Sequence, residues 1–447
     1  MPPSLLPSPN AQALIARFSS RSATIAVVGM GYVGLPLAKA MHEAGFHVIG
    51  FDIDPEKVRF LTEGTSYLKH LGVDLVPRLA ESPRFNATGD PSLLAAADAI
   101  VLCVPTPLGK HQEPDLSYVE NSTRMVASIL RRGQLISLES TSYPGTTREV
   151  CLPILESSGL KADDDFFLVF SPEREDPGRK DFETSTIPRL VGGIGSSSTQ
   201  VGVALYSAAV KHVIATESAE VAEAAKLLEN IYRAVNIALV NELKPVLLDM
   251  GIDIWSVIRA ASTKPFGFQA FYPGPGLGGH CIPIDPYYLT YKAREYGHTT
   301  RFIELAGEIN HEMPRYVVDR VAEALNSIGK PAKGSNILVL GIAYKPNVDD
   351  IRETPAAEVI TLLMDRGAIV AYHDPHVAAF HPMRKYDLGL TSQPLTATTL
   401  AAADCVVIIT DHAAIDWQLV GANAGLIVDT RDAMSRVKDT IATVFKA

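Results

Sequence analysis

The chain has 447 residues, 47% of them hydrophobic and 20% charged, with a formal net charge of −10. That balance excludes a wholly disordered, collagen-like or disulfide-scaffold chain. It also excludes the basic excess of a broad nucleic-acid surface, so an anionic ligand would need a local cluster of donors.

At roughly 100–200 residues per domain, the length corresponds to two to four domains. Apolar runs such as residues 166–170 and 405–409 fall far short of the ~20 residues that span a bilayer. Residues 1–22 hold four prolines and no apolar core region, so they do not read as a secretory signal. The compartment expected is the cytoplasm, with no membrane partner.

In chain order, residues 1–22 are rich in Ser and Pro and are expected to be a mobile lead-in. Residues 23–28 are a short apolar run rich in β-branched side chains. Gly29-Met30-Gly31-Tyr32-Val33-Gly34 follows at once, then helical periodicity over 35–44, a stop at Gly45 and a second apolar run at 47–51. Strand, Gly-rich turn, helix, strand is a βαβ unit. Residues 99–104 are a third strand candidate, and strand–helix alternation continues to about residue 214.

The middle differs. Between 218 and 250, apolar residues recur at helical spacing through Val221, Ala224, Ala225, Leu228, Ile231, Val235 and Leu239. This predicts a long amphipathic helix with a bend at Pro245. It is too long and too apolar on one face to be only a spacer, so a homodimer interface is expected along it. A loop rich in Gly and Pro covers 265–286, and more helix runs from 301 to about 328.

After a linker at 329–334 the first pattern returns. Residues 336–340 read as a strand, Gly341-Ile342-Ala343-Tyr344-Lys345-Pro346 as a loop, 355–366 as a helix and 369–372 as a strand. Phe51-Asp52 is echoed by His373-Asp374, and Ala97-Asp98 by Ala403-Asp404. With the two loops, these matches lie at offsets of about 310–320 residues. The fold class expected is α/β: two Rossmann-like α/β domains joined by a helical middle with a long central helix.

The first glycine loop fits G-x-G-x-x-G after a strand and at the start of a helix. Gly29 permits the tight turn, Gly31 lets a pyrophosphate approach the backbone, and Gly34 lets helix and strand pack closely. Asp52 ends the next strand, 18 residues beyond Gly34, where an acid bonds a ribose 2′-OH and repels a 2′-phosphate. NAD is therefore expected as cofactor rather than NADP. The second loop lacks this fingerprint. Its Lys345, with Arg352 shortly after, suits a different anionic ligand or a solvated charged loop.

Cys281 follows Gly274-Pro275-Gly276-Leu277-Gly278-Gly279-His280, in which four glycines in six residues let a ligand reach the backbone. His280 and Asp285 are near enough in sequence to affect its ionisation. Cys103 and Cys405 lie in apolar strands and Cys151 near a helix start, so these three read as packing residues. No CxxC or Cys/His pairing at zinc spacing occurs, and no metal is expected. Lys226 and Asn230 are spaced i, i+4 on the long helix. The spacing admits a solvated edge, or a cation and an amide aimed at a reacting oxygen. Thr141 and Glu173 follow strand candidates, at the strand ends where parallel sheets bind ligands.

Taken together, these residues resemble the nucleotide-sugar 6-dehydrogenases, the UDP-glucose and UDP-N-acetylhexosamine dehydrogenase family. The resemblance covers about residues 22–435. It is carried by the first glycine loop with Leu35-Pro36, Val104-Pro105-Thr106-Pro107, Ser140-Thr141, Ser171-Pro172-Glu173, Lys226 with Asn230, Gly278-Gly279-His280-Cys281 and Gly341-Ile342-Ala343-Tyr344-Lys345. His280 and Ile284, where the UDP-glucose branch has Ser and Lys, resemble the N-acetylhexosamine branch. The substrate this implies is UDP-N-acetylglucosamine, with UDP-N-acetylgalactosamine, UDP-N-acetylmannosamine and UDP-glucose behind it. Arg174 departs from the Phe found in the UDP-glucose branch, which leaves the duty of Glu173 open.

The resemblance implies four-electron oxidation of the C6 alcohol to a uronic acid with two NAD, supplying polysaccharide biosynthesis. Cys281 would form a thiohemiacetal and then a thioester. Lys226 and Asn230 would stabilise oxyanions. Asp285 and Glu173 would be the acid–base pair, and Thr141 would position a water. Gly29, Gly31, Tyr32, Val33, Gly34, Asp52, Thr106, Thr141 and Arg352 would contact the cofactor. Glu173, Lys226, Asn230, Gly278, Gly279, Lys345 and Arg431 would contact the UDP-sugar. The expected domains are 23–214 for NAD, 215–328 for dimerisation and the cysteine loop, and 329–447 for the UDP-sugar. A homodimer or higher homo-oligomer is expected.

Two rivals remain at this stage. A 6-phosphogluconate or β-hydroxyacid dehydrogenase shares a Rossmann domain, a helical middle and a catalytic Lys, but needs neither a cysteine nor a second α/β domain. A catalytically silent nucleotide-binding regulator would have no use for an intact Cys281, Lys226 and Asn230.

Overall fold

The apolar runs of the sequence become strands covered on both faces, because a parallel sheet is flanked by its own crossover helices. The computed structural model of the protein describes residues 8–68, 71–109, 112–174, 186–279, 282–383 and 385–447. The chain divides into two units. One is Met1–Glu229 with Tyr287–Thr299, and the other is Asn230–Pro286 with Thr300–Ala447.

Among the described residues, the first unit carries β1 (Thr24–Val28), β2 (His47–Phe51), β3 (Phe85–Thr88), β4 (Ala99–Leu102), β5 (Leu135–Leu138), β6 (Phe167–Phe170), β7 (Arg189–Gly193) and β8 (Val213–Ala215). Their order is β3-β2-β1-β4-β5-β6-β7-β8, parallel except for β7 against β6. Alternate side chains of β1 point to opposite faces. Ile25 and Val27 join one buried cluster with Met41 and Val201, and Ala26 and Val28 join another with Leu94 and Val119.

The second unit carries β9 (Asn336–Leu340), β10 (Ile369–His373), β11 (Cys405–Ile408), β12 (Leu426–Asp429) and β13 (Thr443–Lys446). Their order is β10-β9-β11-β12-β13, parallel throughout. Ile337 and Val339 pack with Val321 and Ile360, and Leu338 and Leu340 with Leu400 and Val420. In both sheets the order reverses beside the first strand, which opens a crevice at the carboxyl ends of the strands.

The sequence echoes are structural equivalents. Gly29 donates to the Phe51 carbonyl at 2.8 Å, and Gly341 to the His373 carbonyl at 2.9 Å. At the other end of the sheets, the Asp98 carboxylate accepts from Thr24 N at 3.0 Å and the Asp404 carboxylate from Asn336 N at 2.8 Å.

One expectation needs correction. Pro9–Ser19 is a helix, not a mobile lead-in. Ser8 caps it through Oγ, Pro9 stands where no N–H is needed, and Ala11, Leu14 and Phe18 are buried. Phe18 meets the ring of Phe46 edge-on at 6.4 Å. Ser8 and Pro9, which read as loop formers in the sequence, make the cap, while the apolar i, i+3, i+7 stripe behind them sets the structure; the part of the expected lead-in at 1–7 lies outside the described residues.

The expected long helix spans Ala219–Asp249 and contains Pro245. At about 100° per residue, Val221, Leu228, Tyr232, Leu239, Leu243, Val246 and Met250 fall within about 40° of one line. All seven are exposed. The buried side is the opposite one, with Ala222, Leu227, Ala234 and Ala238. The periodicity of Val221, Leu228 and Leu239 thus marks a face that this chain leaves uncovered. No helix among the described residues is long and apolar enough to cross a membrane.

Candidate active site

In the first unit the loop after β1 is built around its glycines. Gly29 has φ +91°, and a Cβ there would come within 2.5 Å of the Cys103 carbonyl oxygen. A Cβ on Gly34 would run into the Gly29 carbonyl. A Cβ on Gly31 would meet nothing within 4 Å among the described residues. The outer two glycines are demanded by the turn, and the middle one leaves room for a ligand. Tyr32 and Val33 complete the loop, and the helix Gly34–Glu43 follows it directly, its N-terminal end next to the loop, as in an anion site.

Asp52, at the end of β2, is buried. Its Oδ2 accepts Met30 N at 2.9 Å and Lys57 Nζ at 3.2 Å, and its Oδ1 accepts Asp54 N at 2.9 Å. Tyr67 holds the loop from outside, its hydroxyl donating to the Met30 carbonyl at 2.6 Å. A carboxylate with lone pairs to spare at the strand end, and an open backbone beside it, fit NAD. Lys57 escaped the sequence analysis, although it stands five residues beyond Asp52 in the next helix.

The carboxyl ends of β4, β5 and β6 are tied together. Ser140 Oγ donates to the Val104 carbonyl at 2.7 Å and accepts Val104 N at 3.0 Å, which places Thr141 beside the β4 loop. The Thr106 carbonyl accepts from the Tyr288 hydroxyl. Arg189 forms an ion pair with buried Glu139 and donates through Nε to Ser171 Oγ at 2.9 Å. It thereby anchors Ser171-Pro172-Glu173. Burial works against its charge, but Glu139, Tyr206 and Glu173 hold the guanidinium protonated. Arg174 is accounted for by Glu229, to which it donates at 2.6 and 3.2 Å.

Lys226 is buried on the long helix. One turn before it, Glu223 accepts from Gly145 N at 2.6 Å, Thr147 N at 2.9 Å and Thr147 Oγ1 at 2.7 Å. These donors open the π-helical turn Thr146–Cys151, so Glu223 fixes the loop that leaves β5 through Thr141. Burial pushes its carboxyl up to about 7. Neither Glu223 nor Arg189 was singled out from sequence. An acid three residues before a candidate Lys was the available signal for the first, and nothing marked the second.

Cys281 and His280 lie outside the described residues. The other cysteines are thiols by environment. Burial raises Cys103 well above its ordinary value and pushes Cys151 and Cys405 up to about 12.

In the second unit, Asn230 Nδ2 donates to Asp285 Oδ2 at 2.6 Å. The glycine loop is held at both ends. Gly274 N donates to Asn241 Oδ1 at 2.9 Å, and Gly279 N to the Arg352 carbonyl at 3.0 Å. Gly278 and Gly279 pack on Tyr344, where added Cβ atoms would come within 2.7 and 2.9 Å of its side chain. Arg352 grips Asp350 through Nε and Nη2, the latter at 2.6 Å. Lys345 Nζ stands 5.7 Å from the centre of the Tyr344 ring.

Asp374, the counterpart of Asp52, accepts Ile342 N at 2.7 Å, Ala343 N at 3.2 Å and His412 Nε2 at 3.0 Å. His412 in turn accepts Asn347 N on Nδ1 at 2.9 Å. The second aspartate therefore serves its own loop and displays Tyr344 and Lys345. Arg431 follows β12, its Nε donating to the Ile409 carbonyl at 2.9 Å. Its guanidinium packs where a Cβ on Gly274 would stand.

Residues 23–210 match the NAD binding domain of the UDP-glucose/GDP-mannose dehydrogenase family, 220–312 its central domain and 338–436 its UDP binding domain. A UDP-N-acetyl-D-glucosamine 6-dehydrogenase from Pseudomonas aeruginosa is 36% identical over 390 residues, 87% of this chain and 90% of the relative. A UDP-N-acetyl-D-mannosamine dehydrogenase from Methanococcus maripaludis is 34% identical over 395 residues, 87% and 86% of the two chains. The solved UDP-D-ManNAc dehydrogenase of Pyrococcus horikoshii superposes with a TM-score of 0.83 at 32% identity, covering 95% of this chain and 98% of that one. The chain belongs to the UDP-glucose/GDP-mannose dehydrogenase family and is an NAD-dependent nucleotide-sugar oxidoreductase.

Proposed function

We propose that the protein oxidises the C6 hydroxyl of a UDP-N-acetylhexosamine, UDP-N-acetylglucosamine first among them, to the uronic acid. The observation that carries this is the bond from Asn230 to Asp285, which sets an amide and a buried carboxylate together four residues beyond Cys281. The names of the relatives, which are N-acetylhexosamine dehydrogenases, support the substrate class. Buried Ile284, where a UDP-glucose enzyme carries Lys, supports the same branch.

NAD, when bound, accepts hydride. The residues that would hold it are Gly29, Gly31, Tyr32, Val33, Gly34, Asp52, Thr106 and Thr141, with Arg352 as a further contact. The chain's own groups do the remaining work. Asp285 or Glu173 takes the hydroxyl proton as hydride leaves C6. The Cys281 thiolate adds to the aldehyde and forms a C–S bond, giving a thiohemiacetal whose oxyanion Lys226 and Asn230 stabilise. Loss of a proton and a second hydride from that adduct leaves a thioester. A water positioned by Thr141 then cleaves it, releasing the carboxylate and the thiolate. Lys345 and Arg431 bind the UDP part, and Gly278 and Gly279 leave room for the sugar.

Residues 23–214 are assigned to the cofactor, 215–328 to dimerisation and the cysteine loop, and 329–447 to the UDP-sugar. The exposed apolar stripe from Val221 to Met250 supports a homodimer.

The test is a panel of UDP-sugars assayed by NADH absorbance with product analysis. UDP-N-acetylglucosamine should give two NADH per sugar and a uronic acid, with little free aldehyde. Cys281→Ala should abolish turnover and leave NAD binding intact. Faster turnover of UDP-N-acetylmannosamine or UDP-N-acetylgalactosamine moves the substrate within the class. A clean stop at one NADH, or near-normal stoichiometry in Cys281→Ala, overturns the covalent route.

A further inference from the structure

Lys244 lies on the buried side of the long helix, close to one turn beyond Asn241. Its Nζ is fully enclosed and has no hydrogen-bond partner among the described residues. The groups that face it are cationic or aromatic. Its Nζ is 5.1 Å from the centre of the Tyr316 ring, and the hydroxyl of Tyr316 has no partner either. Arg431 and Arg320 act on the amine from the loop after β12 and from the helix Arg301–Ser327.

Three carboxylates nearby are engaged elsewhere. Glu323 pairs with Arg320, Asp411 with Arg436, and Asp429 accepts Arg431 N and Met434 N, each at 2.9 Å. Asp249 and Glu323 bear on Tyr316. A buried ammonium without an acceptor, beside two guanidinium groups, sheds its proton instead of keeping the charge. Burial first, then Arg431 and Arg320, push the Lys244 amine down to about 7.

An amine of this kind is a poor way to fill a core, since an apolar side chain of similar size would do so without desolvating a polar head. It becomes useful when a negative charge arrives. Arg431 links it to the ligand side, because Arg431 packs against Gly274, and Asn241 on the Lys244 helix accepts Gly274 N at 2.9 Å.

We propose that Lys244 is a positioning residue of the nucleotide-sugar site, a buried amine behind Arg431 that gains a proton as the diphosphate binds. This rests on the assignment of Arg431 to the UDP part of the substrate. The proton comes from solvent, no bond of the sugar changes, and the new ammonium offsets charge that Arg431 alone would meet. Because Lys244 is enclosed, it acts through Arg431 rather than by touching the ligand.

Calorimetric titration of the full-length protein with UDP-N-acetylglucosamine, without NAD, tests this in two buffers of different ionisation enthalpy. The phosphates of the ligand are diesters and do not titrate near neutrality. At about pH 8 the wild type should take up close to one proton per site, falling toward zero at about pH 6, where the free amine is already charged. Lys244→Met should bind roughly tenfold more weakly and take up none. Binding by the wild type without proton uptake overturns the proposal, as does the same uptake in Lys244→Met. If that variant does not fold, the wild-type profile decides alone, and uptake that fails to decline toward pH 6 counts against it. Absence of any binding heat in the folded wild type, with no competition by UDP, instead removes the nucleotide-sugar assignment on which this one stands.

Discussion

Asn230 Nδ2 donates to Asp285 Oδ2 at 2.6 Å, joining residues 55 positions apart in the chain. The contact helps to set how the carboxylate points, since Asp285 is only 2% exposed and the amide is carried on a helix. An Asn side chain has two Nδ2 hydrogens. One orients Asp285, and the other is the one that an oxyanion role at C6 requires.

From that pair follows the first prediction. Asn230→Ala should lower kcat by roughly 10²–10³, with NAD binding little changed, since it removes both an oxyanion donor and the brace of the carboxylate. Asn230→Asp should be at least as damaging. It sets two carboxylates together, so the surviving activity should rise toward lower pH, where one is protonated. Steady-state kinetics across pH would show this, and an unchanged kcat in Asn230→Ala would remove the role.

Asp52, at the end of β2, binds the Met30 N–H and Lys57. NAD should be preferred over NADP roughly tenfold or more, in line with about 1.5–3 kcal/mol for a charge-assisted hydrogen bond. Asp52→Ala should erase most of that preference, because it also leaves Lys57 as an uncompensated cation near the 2′ position. Equal kcat/KM for both cofactors in the wild type would contradict the assignment.

Glu223 gives a pH dependence with a definite sign. Its folded carboxyl is pushed up to about 7 by burial, from an ordinary value of 4.5. Between those values the folded state binds more protons than the unfolded state. The stability contributed is therefore full below about pH 4.5 and is lost as pH rises toward 7. Glu223→Gln should flatten this part of the Tm-against-pH curve. It should also destabilise the fold by about 1–3 kcal/mol near pH 5, because an amide NH2 would face the Gly145 or Thr147 donors. Identical slopes in both proteins would show that the carboxyl does not titrate there.

The exposed stripe makes a prediction about assembly. Leu228, Leu239 and Leu243 are exposed on one line of the long helix. Leu239→Glu with Leu243→Glu should shift light-scattering mass from dimer toward monomer, while circular dichroism stays helical. A wild type that is already monomeric at micromolar concentration would leave the stripe without the partner assigned to it.

Local chemistry in the sequence determined a good deal of this molecule. Gly29, Gly31 and Gly34, the apolar runs around them and the echo of Asp52 in Asp374 depend on turn geometry and on two-sided burial, which neighbouring residues encode directly. The long helix was equally legible, because its period is local. Which side of it faces the core was not, since apolar residues recur on both faces and only the returning chain chooses between them. The same reason hid the helix Pro9–Ser19, whose stripe is buried by residues far along the chain, Phe46, Val201 and Leu205 among them. The bond of Asn230 to Asp285, the clasp of Glu223 on the β5 loop and the enclosure of Lys244 beside Arg431 each join segments far apart in the chain. Their chemistry comes from burial and proximity, and tertiary structure alone supplies both.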